Sequence, residues 1–439
     1  MPNPNPSGNT DPNYGDGNPS DHDWDPFAGM TMPDFSSFGR KRQQTGKADP
    51  ISTIDLKGEP KTVISGCRVA DFERLAAVGG RDALHLVAAK RSPHKPEKTN
   101  LEKLPVALEQ SGPLDSVAWG HDPVAGELIL AAFGNELNVH RIAMGGGGEA
   151  RMDVYDFATV GIRGHKGIMG GYHMGQVRAG TFIEGHPERV ALTGDGQRCY
   201  ILDLTRQPKN IARNDDNEKY SPESVPGSMI RNVMLQSSGC MVQTHPREPH
   251  QLMIAQDAGI IDFIDLRVPD GRPSLRRITP PFDDPGGLCA ADWSLHSPYL
   301  IGGAVGSQWM CWDIRQTEYY PPPSSTLRVT GCTGDAKQGL GLCQFRFSPH
   351  SPTFVTAGTS NELLVHSLSN ADGPSGLAPS GSPPYRCGNE LTTRVADVSW
   401  LHVQQPPLMV GVSDTKVCLW DVPEGAKGPP PAPPPPGWS

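Results

Sequence analysis

The chain has 439 residues, 36% of them hydrophobic and 20% charged, with 50 Gly and 45 Pro. This much glycine and proline excludes a helical bundle, and no amphipathic helix of about ten residues is found, so many short strands joined by turns are expected. A net charge of −9 and a pI near 5.9 carry no bias toward nucleic acid. There is neither an apolar leader nor a run of about 18 apolar residues, so neither secretion nor membrane insertion is expected.

Residues 1–50 are rich in Pro, Asn, Gly and Asp and lack apolar periodicity, so they read as disordered. The cluster Arg40-Lys41-Arg42, with Lys47 beyond it, reads as a solvated basic patch, with a nuclear import signal as the alternative. Trp24, Phe27, Phe35 and Phe38 stand in this polar head as a weak docking motif. Ile51–Leu56 reads as a strand, Lys57–Pro60 as a turn, and the first repeat begins near Lys61.

From there one pattern recurs: a tight turn and then a short strand, clearest in Trp309-Met310-Cys311-Trp312-Asp313 and Val417-Cys418-Leu419-Trp420-Asp421. Requiring apolar residues one and three positions before the Trp slot gives hits ending at Ala88, Arg141, Asp203, Asp265, Asp313, Ser367 and Asp421. The steps are 53, 62, 62, 48, 54 and 54 residues. The required pairs (Leu84/Leu86, Leu137/Val139, Cys199/Ile201, Ile261/Phe263, Trp309/Cys311, Leu363/Val365, Val417/Leu419) are all apolar and the residue between them is mixed. That alternation marks strands buried on one face. A repeat of this length ending in Trp-Asp is the signature of a WD-type blade. Seven hits predict an all-β, seven-bladed WD-repeat β-propeller over residues 51–422.

Each hit follows a run of small and β-branched residues, such as Leu75–Gly80, Leu300–Val305 or Leu408–Val412. These runs are read as the strands nearest the axis, where blades taper. Turns built on proline precede them (His121-Asp122-Pro123, His186-Pro187, His245-Pro246, Ser297-Pro298, Ser351-Pro352), and a further strand lies ahead, ending at Trp119, Trp293 or Trp400. Residues 141–175, 205–228 and 369–390 read as long surface loops. After Asp421 come eight prolines between Pro423 and Pro436, so residues 423–439 form a disordered polyproline tail. The last blade then lacks an outer strand, and Ile51–Leu56 is expected to supply it and close the ring.

From His245 onward the chain resembles the 37-kilodalton WD-repeat nucleoporin family, the smallest propellers of the nuclear pore's Y-shaped outer-ring scaffold complex. The resemblance rests on His245-Pro246 through Leu266, on Ala291-Asp292-Trp293 through Gly303-Ala304-Val305 to Trp309–Ile314, and on Val398-Ser399-Trp400 through Gly411-Val412 to Leu419-Trp420. It spans about 175 residues, and the N-terminal half matches only in repeat spacing. The resemblance implies a non-enzymatic scaffold subunit at the nuclear envelope that docks on a large propeller and α-solenoid nucleoporin. It further implies a propeller that is monomeric within a hetero-oligomer and supports nucleocytoplasmic transport of protein and mRNA.

Chemistry is poorly supported. No H-E-x-x-H, G-x-S-x-G or phosphate-loop motif is present, and the fourteen His make no zinc pattern, so no catalytic residue, metal or cofactor is expected. Gly161–Gly171 resembles a phosphate loop only in glycine content. Within it His165, after Gly164, is read as a structural His bonded toward Thr193 and Asp195, against an idle surface His. Asp203, Asp265, Asp313 and Asp421 are assigned to turn stabilisation, and Trp312 and Trp420 to blade packing. Tyr155, Phe157, Tyr319 and Tyr320 are candidate partner anchors in loops. The nine Cys form no C-x-x-C pair and read as reduced thiols in a reducing compartment. Two competing readings remain: another WD-repeat adaptor (a ubiquitin-ligase substrate receptor or a vacuolar or lysosomal coat-like subunit), and a propeller enzyme.

Overall fold

The computed structural model describes residues 49–56, 60–65, 74–81, 83–92, 98–105, 113–122, 127–134, 136–144, 152–161, 176–205, 229–268, 276–278, 287–305, 308–314, 329–332, 342–351, 353–358, 363–369, 378–379, 385–387, 395–403, 407–413 and 415–422. The chain divides into two units, Met1–Gln44 and Thr45–Ser439; only the second contains described residues. The expectations for residues 1–48, His165, Tyr319, Tyr320 and the tail 423–439 lie outside them.

Strand β1 (Ser52–Asp55) is followed by β2 (Pro60–Ser65), β3 (Leu75–Gly80), β4 (Leu84–Arg91) and β5 (Thr99–Lys103). Next come β6 (Ser116–Asp122), β7 (Glu127–Phe133), β8 (Glu136–Met144) and β9 (Met152–Gly161), then β10 (Val177–Ile183), β11 (His186–Gly194), β12 (Arg198–Asp203) and β13 (Met229–Met234). Beyond these lie β14 (Gly239–Thr244), β15 (Gln251–Gln256), β16 (Ile260–Asp265), β17 (Arg276–Ile278), β18 (Leu288–Trp293), β19 (Leu300–Val305), β20 (Gln308–Asp313) and β21 (Val329–Cys332). The chain finishes with β22 (Leu342–Phe347), β23 (Thr353–Gly358), β24 (Leu363–Ser369), β25 (Ala378–Pro379), β26 (Tyr385–Cys387), β27 (Asp397–Trp400), β28 (Leu408–Ser413) and β29 (Lys416–Asp421). No α-helix occurs among the described residues.

The described strands pair into seven antiparallel sheets, six made of consecutive strands and the seventh ordered β1-β29-β28-β27. Successive first strands touch in a cycle: β2 with β6, β6 with β10, β10 with β14, β14 with β18, β18 with β22, β22 with β27, and β27 with β2. Such a cycle is the inner wall of a propeller. In the seventh sheet β1 lies antiparallel on β29, with Ser52 opposite Leu419 and Asp55 opposite Lys416. Ser52 Oγ also accepts the Leu101 N–H at 2.9 Å, tying β1 to the outer strand of the first sheet.

Four sequence expectations are corrected here. The small-residue runs are not nearest the axis: each is the second strand of its sheet, and the innermost is the strand ahead of it. The second strands carry small side chains because neighbouring blades cover both faces; β3 and β28 are buried along their whole length. Residues 141–175 are not simply a loop, since β9 runs ten residues beside β8 with a register shift between Val139 and His140; the nine-residue β8 leaves an edge long enough to hold it. In the third blade His186-Pro187 is not the turn. The turn is Glu184-Gly185, where Gly185 has φ of +74°, and β11 starts at His186. Within 369–390, β25 and β26 both pair with β24.

The core lies between the sheets. Val87, Val410 and Leu419 pack in one cluster at the seam between last and first blades, beside Ile54 of β1. Elsewhere an aromatic ring from one blade fills the space over a glycine of a neighbouring blade. A Cβ on Gly180 would sit 2.2 Å from Phe133 Cζ, and one on Gly302 2.4 Å from Phe345 Cζ.

Candidate functional site

The seven innermost strands enclose an axial channel of about 700 Å³. These strands must bond the neighbouring blade as well as their own sheet, and several polar side chains do so. Asp292 on β18 accepts the Phe347 N–H of the next blade at 2.6 Å and the Gln243 Nε2 of the previous blade at 2.5 Å. Gln243 in turn accepts the Trp293 N–H at 2.8 Å. Asp397 on β27 accepts the Val63 N–H at 2.9 Å and the Thr62 hydroxyl at 3.0 Å, across the seam between last and first blades. Its other oxygen takes the Val398 N–H at 2.8 Å and meets Arg346 Nη2 at 3.5 Å. Burial pushes both carboxyls above the usual carboxylate range, opposed by Arg346 and the donors. These carboxylates face the channel with their oxygens engaged by groups of the adjacent blades, an arrangement that fixes the blades rather than offering a free base. Neither Gln243 nor Asp397 was singled out in the sequence, and Asp292 stood there only within the Ala291-Asp292-Trp293 segment; an isolated Asp or Gln in a strand pattern carries no local signal of a partner blade.

The residues that the sequence did single out fall in several places. Trp119 Nε1 donates to the Ile64 carbonyl at 3.1 Å and Trp400 Nε1 to the Arg346 carbonyl at 3.4 Å, each reaching the innermost strand of the preceding blade. Trp293 Nε1 donates to Pro298 O at 2.6 Å. The Trp309 ring lies 5.2 Å from His366 at 56°, and Trp420 is buried against Gly411. Trp312 is placed by its backbone opposite Ile301. Asp203 accepts from the backbone N–H and hydroxyl of Thr205, at 3.1 and 2.6 Å. Asp265 binds Arg267 through its backbone N–H at 2.8 Å and through an ion pair at 2.6 Å, and the Arg267 guanidinium holds its carboxyl below the usual range. Asp313 is buried at the end of β20, whereas Asp421 is exposed at the end of β29. Asp195 pairs with Arg178 at 2.7 Å, while the Thr193 hydroxyl donates to Arg198 O at 3.0 Å. The structure therefore distributes these residues around the ring and does not converge them on one point. Tyr155 and Phe157 lie on β9 rather than in a loop.

The turns from innermost to second strands form one face, where the strands ending in Trp-Asp also terminate. His121, His186, His245, His250, His296, His350 and His402 lie at or beside these turns in six consecutive blades. His245 is a structural member: its Nδ1 accepts the N–H groups of Arg247 and Glu248 at 3.1 and 2.9 Å, and its ring meets Trp293 edge-on at 4.5 Å. Burial lowers its pKa, so it is neutral as these bonds require. Tyr299 stands 41% exposed on this face. Among the described residues no group of three or more His, Cys, Asp or Glu is placed to hold a metal ion.

The chain is 30% identical over 182 residues to "Nucleoporin Nup37" of Homo sapiens, covering 40% of this chain and 51% of that protein. It is 30% identical over 128 residues to "Nucleoporin Nup37" of Mus musculus, covering 28% and 37%. The chain thus spans about half the length, or less, of the curated relatives it matches. No family model matches. A chain in a solved structure titled "Crystal Structure of Mitotic Checkpoint Complex" superposes with a TM-score of 0.54 over 90% of this chain and 97% of that one, at 14% identity. The fold is an all-β propeller. At that identity the likeness speaks to fold alone.

Proposed function

We propose that this chain is a nucleoporin: a seven-bladed WD-repeat ring, closed by its own N-terminal strand, that serves as a non-enzymatic scaffold subunit of the nuclear pore's Y-shaped complex. The observation that carries the reading is the 30% identity to Nup37 over 182 residues. In support, the channel carboxylates are occupied in holding blades together, which leaves faces and edges as the working surfaces. A stiff ring loses little conformational entropy on docking, so a few anchors suffice for affinity. The partner in this reading is a larger propeller and α-solenoid nucleoporin, and the location is the nuclear envelope.

The test is affinity capture of the tagged chain from its own cells, followed by mass spectrometry, with imaging of a fluorescent fusion. One large solenoid nucleoporin recovered in stoichiometric amount, with a nuclear rim, is the expected result. Recovery of a cullin adaptor or a vacuolar coat complex instead, with no rim, overturns it in favour of another WD adaptor.

A further inference from the structure

Several innermost strands begin with a one-residue irregularity. The β2–β3 register skips Lys61, β10–β11 skips Arg178, β14–β15 skips Cys240, β18–β19 skips Cys289 and β22–β23 skips Cys343. A bulge leaves one residue without a cross-strand partner and re-aims its side chain. Lys61, Arg178, Cys240 and Cys289 all line the axial channel. The bulges of β14 and β18 occupy the same level on adjacent blades, and these strands carry Cα pairs within 8 Å. A disulfide spans about 4.4–6.8 Å between Cα atoms. Cys289 is also close enough for its charge to act on the Cys240 thiol.

We propose that Cys240 and Cys289 form a cross-blade dithiol, a modification site that closes to a disulfide by exchange with a small-molecule disulfide such as oxidised glutathione. Each thiol gives up little on closure: Cys240 Sγ donates to Ala255 O at 3.4 Å and Cys289 Sγ to Gly287 O at 3.5 Å, both weak bonds. Cys289 is exposed and Cys240 half-buried, so Cys289 enters first. Its thiolate attacks one sulfur of the glutathione disulfide, that S–S bond breaks, and glutathione thiolate leaves and takes up the proton. Cys240 then loses its proton and attacks Cys289 Sγ, releasing a second glutathione thiol. Two protein thiols are oxidised and one glutathione disulfide is reduced to two thiols. Burial holds the Cys240 thiol up at about 12, opposed by Arg178, so the second step is the slow one.

The experiment treats the full-length reduced protein with oxidised glutathione at pH 8 and maps unreduced peptides by mass spectrometry. The expected outcome is a mass loss of two hydrogens, a Cys240–Cys289 linked peptide, and a melting temperature raised by about 5 °C. Cys240→Ser should stop at a stable glutathione adduct on Cys289, and Cys289→Ser should give neither adduct nor link. Unlinked peptides from the wild-type protein, or a bridge through any other cysteine, Cys343 included, overturn the proposal.

Discussion

Asp397 holds the seam between the last and first blades through bonds to residues 334 and 335 positions away. Asp397→Ala leaves the buried Val63 N–H without that acceptor and should destabilise the protein by about 2–3 kcal/mol. Asp397→Asn keeps one carbonyl oxygen for that N–H and should cost about 1 kcal/mol. Urea denaturation of both variants checks the ratio. His366 supplies a pH signature. Burial pushes it from 6.5 down to about 4, so between these values the unfolded chain binds the extra proton. The sign follows: stability is full above pH 6.5 and is lost as pH falls toward 4. Between pH 7 and pH 5 His366 should contribute a loss of about 2 kcal/mol, and this contribution is removed by His366→Gln. Asp292 and Asp397 act oppositely: raised above 3.8, they favour the folded state below that value, and this contribution is lost as pH rises through their folded pKa. As pH falls from 7 they therefore offset part of the His366 loss, and the His366 contribution is read as the difference between the wild-type protein and His366→Gln.

At the scale of strands, the two kinds of glycine separate cleanly. Gly302→Ala would drive a methyl into the Phe345 ring and should cost about 1–3 kcal/mol through overpacking. Gly259, at φ of +79°, has nothing within 4 Å of an added Cβ, so Gly259→Ala costs only backbone strain of about 1 kcal/mol. Thermal melts of the pair give the comparison. Removing residues 51–56 strips β1 from β29. This should lower the melting temperature by about 10 °C and produce concentration-dependent dimers in size-exclusion chromatography, because an open strand edge pairs with another copy.

The strand scale also explains what could be read in advance. Pairs such as Leu363/Val365 and Val417/Leu419 are buried, but so are Leu364 and Cys418 between them, so these strands are covered on both faces and not on one as the alternation predicts; only His85 and Asn138 stand half-exposed between their pairs. A short apolar strand after a turn is a local property, so those strands are legible. β9 was not: the Gly145–Gly148 run before it and the glycines after it mimic a loop. The order of strands from the axis was misread because small side chains report burial on two faces, not nearness to the centre. The clasps of Asp292 and Asp397 stayed invisible because their partners come from other blades, and spacing along the chain does not encode which blades meet.

On the scale of the whole molecule, the ring joins residues far apart in the chain, and its blades are stitched by hydrogen bonds that Asp292 accepts and that Gln243, Trp119 and Trp400 donate, as well as by apolar contact. The proposed scaffold role uses that stiffness, and the capture experiment above tests it. The pairing of Ser52–Asp55 with Lys416–Leu419 has a further consequence for biogenesis. During synthesis the first-made strand must wait, unpaired, until the last sheet has cleared the ribosome. A nascent chain stalled before Lys416 therefore holds an incomplete circle with exposed margins, the kind of intermediate that chaperones engage.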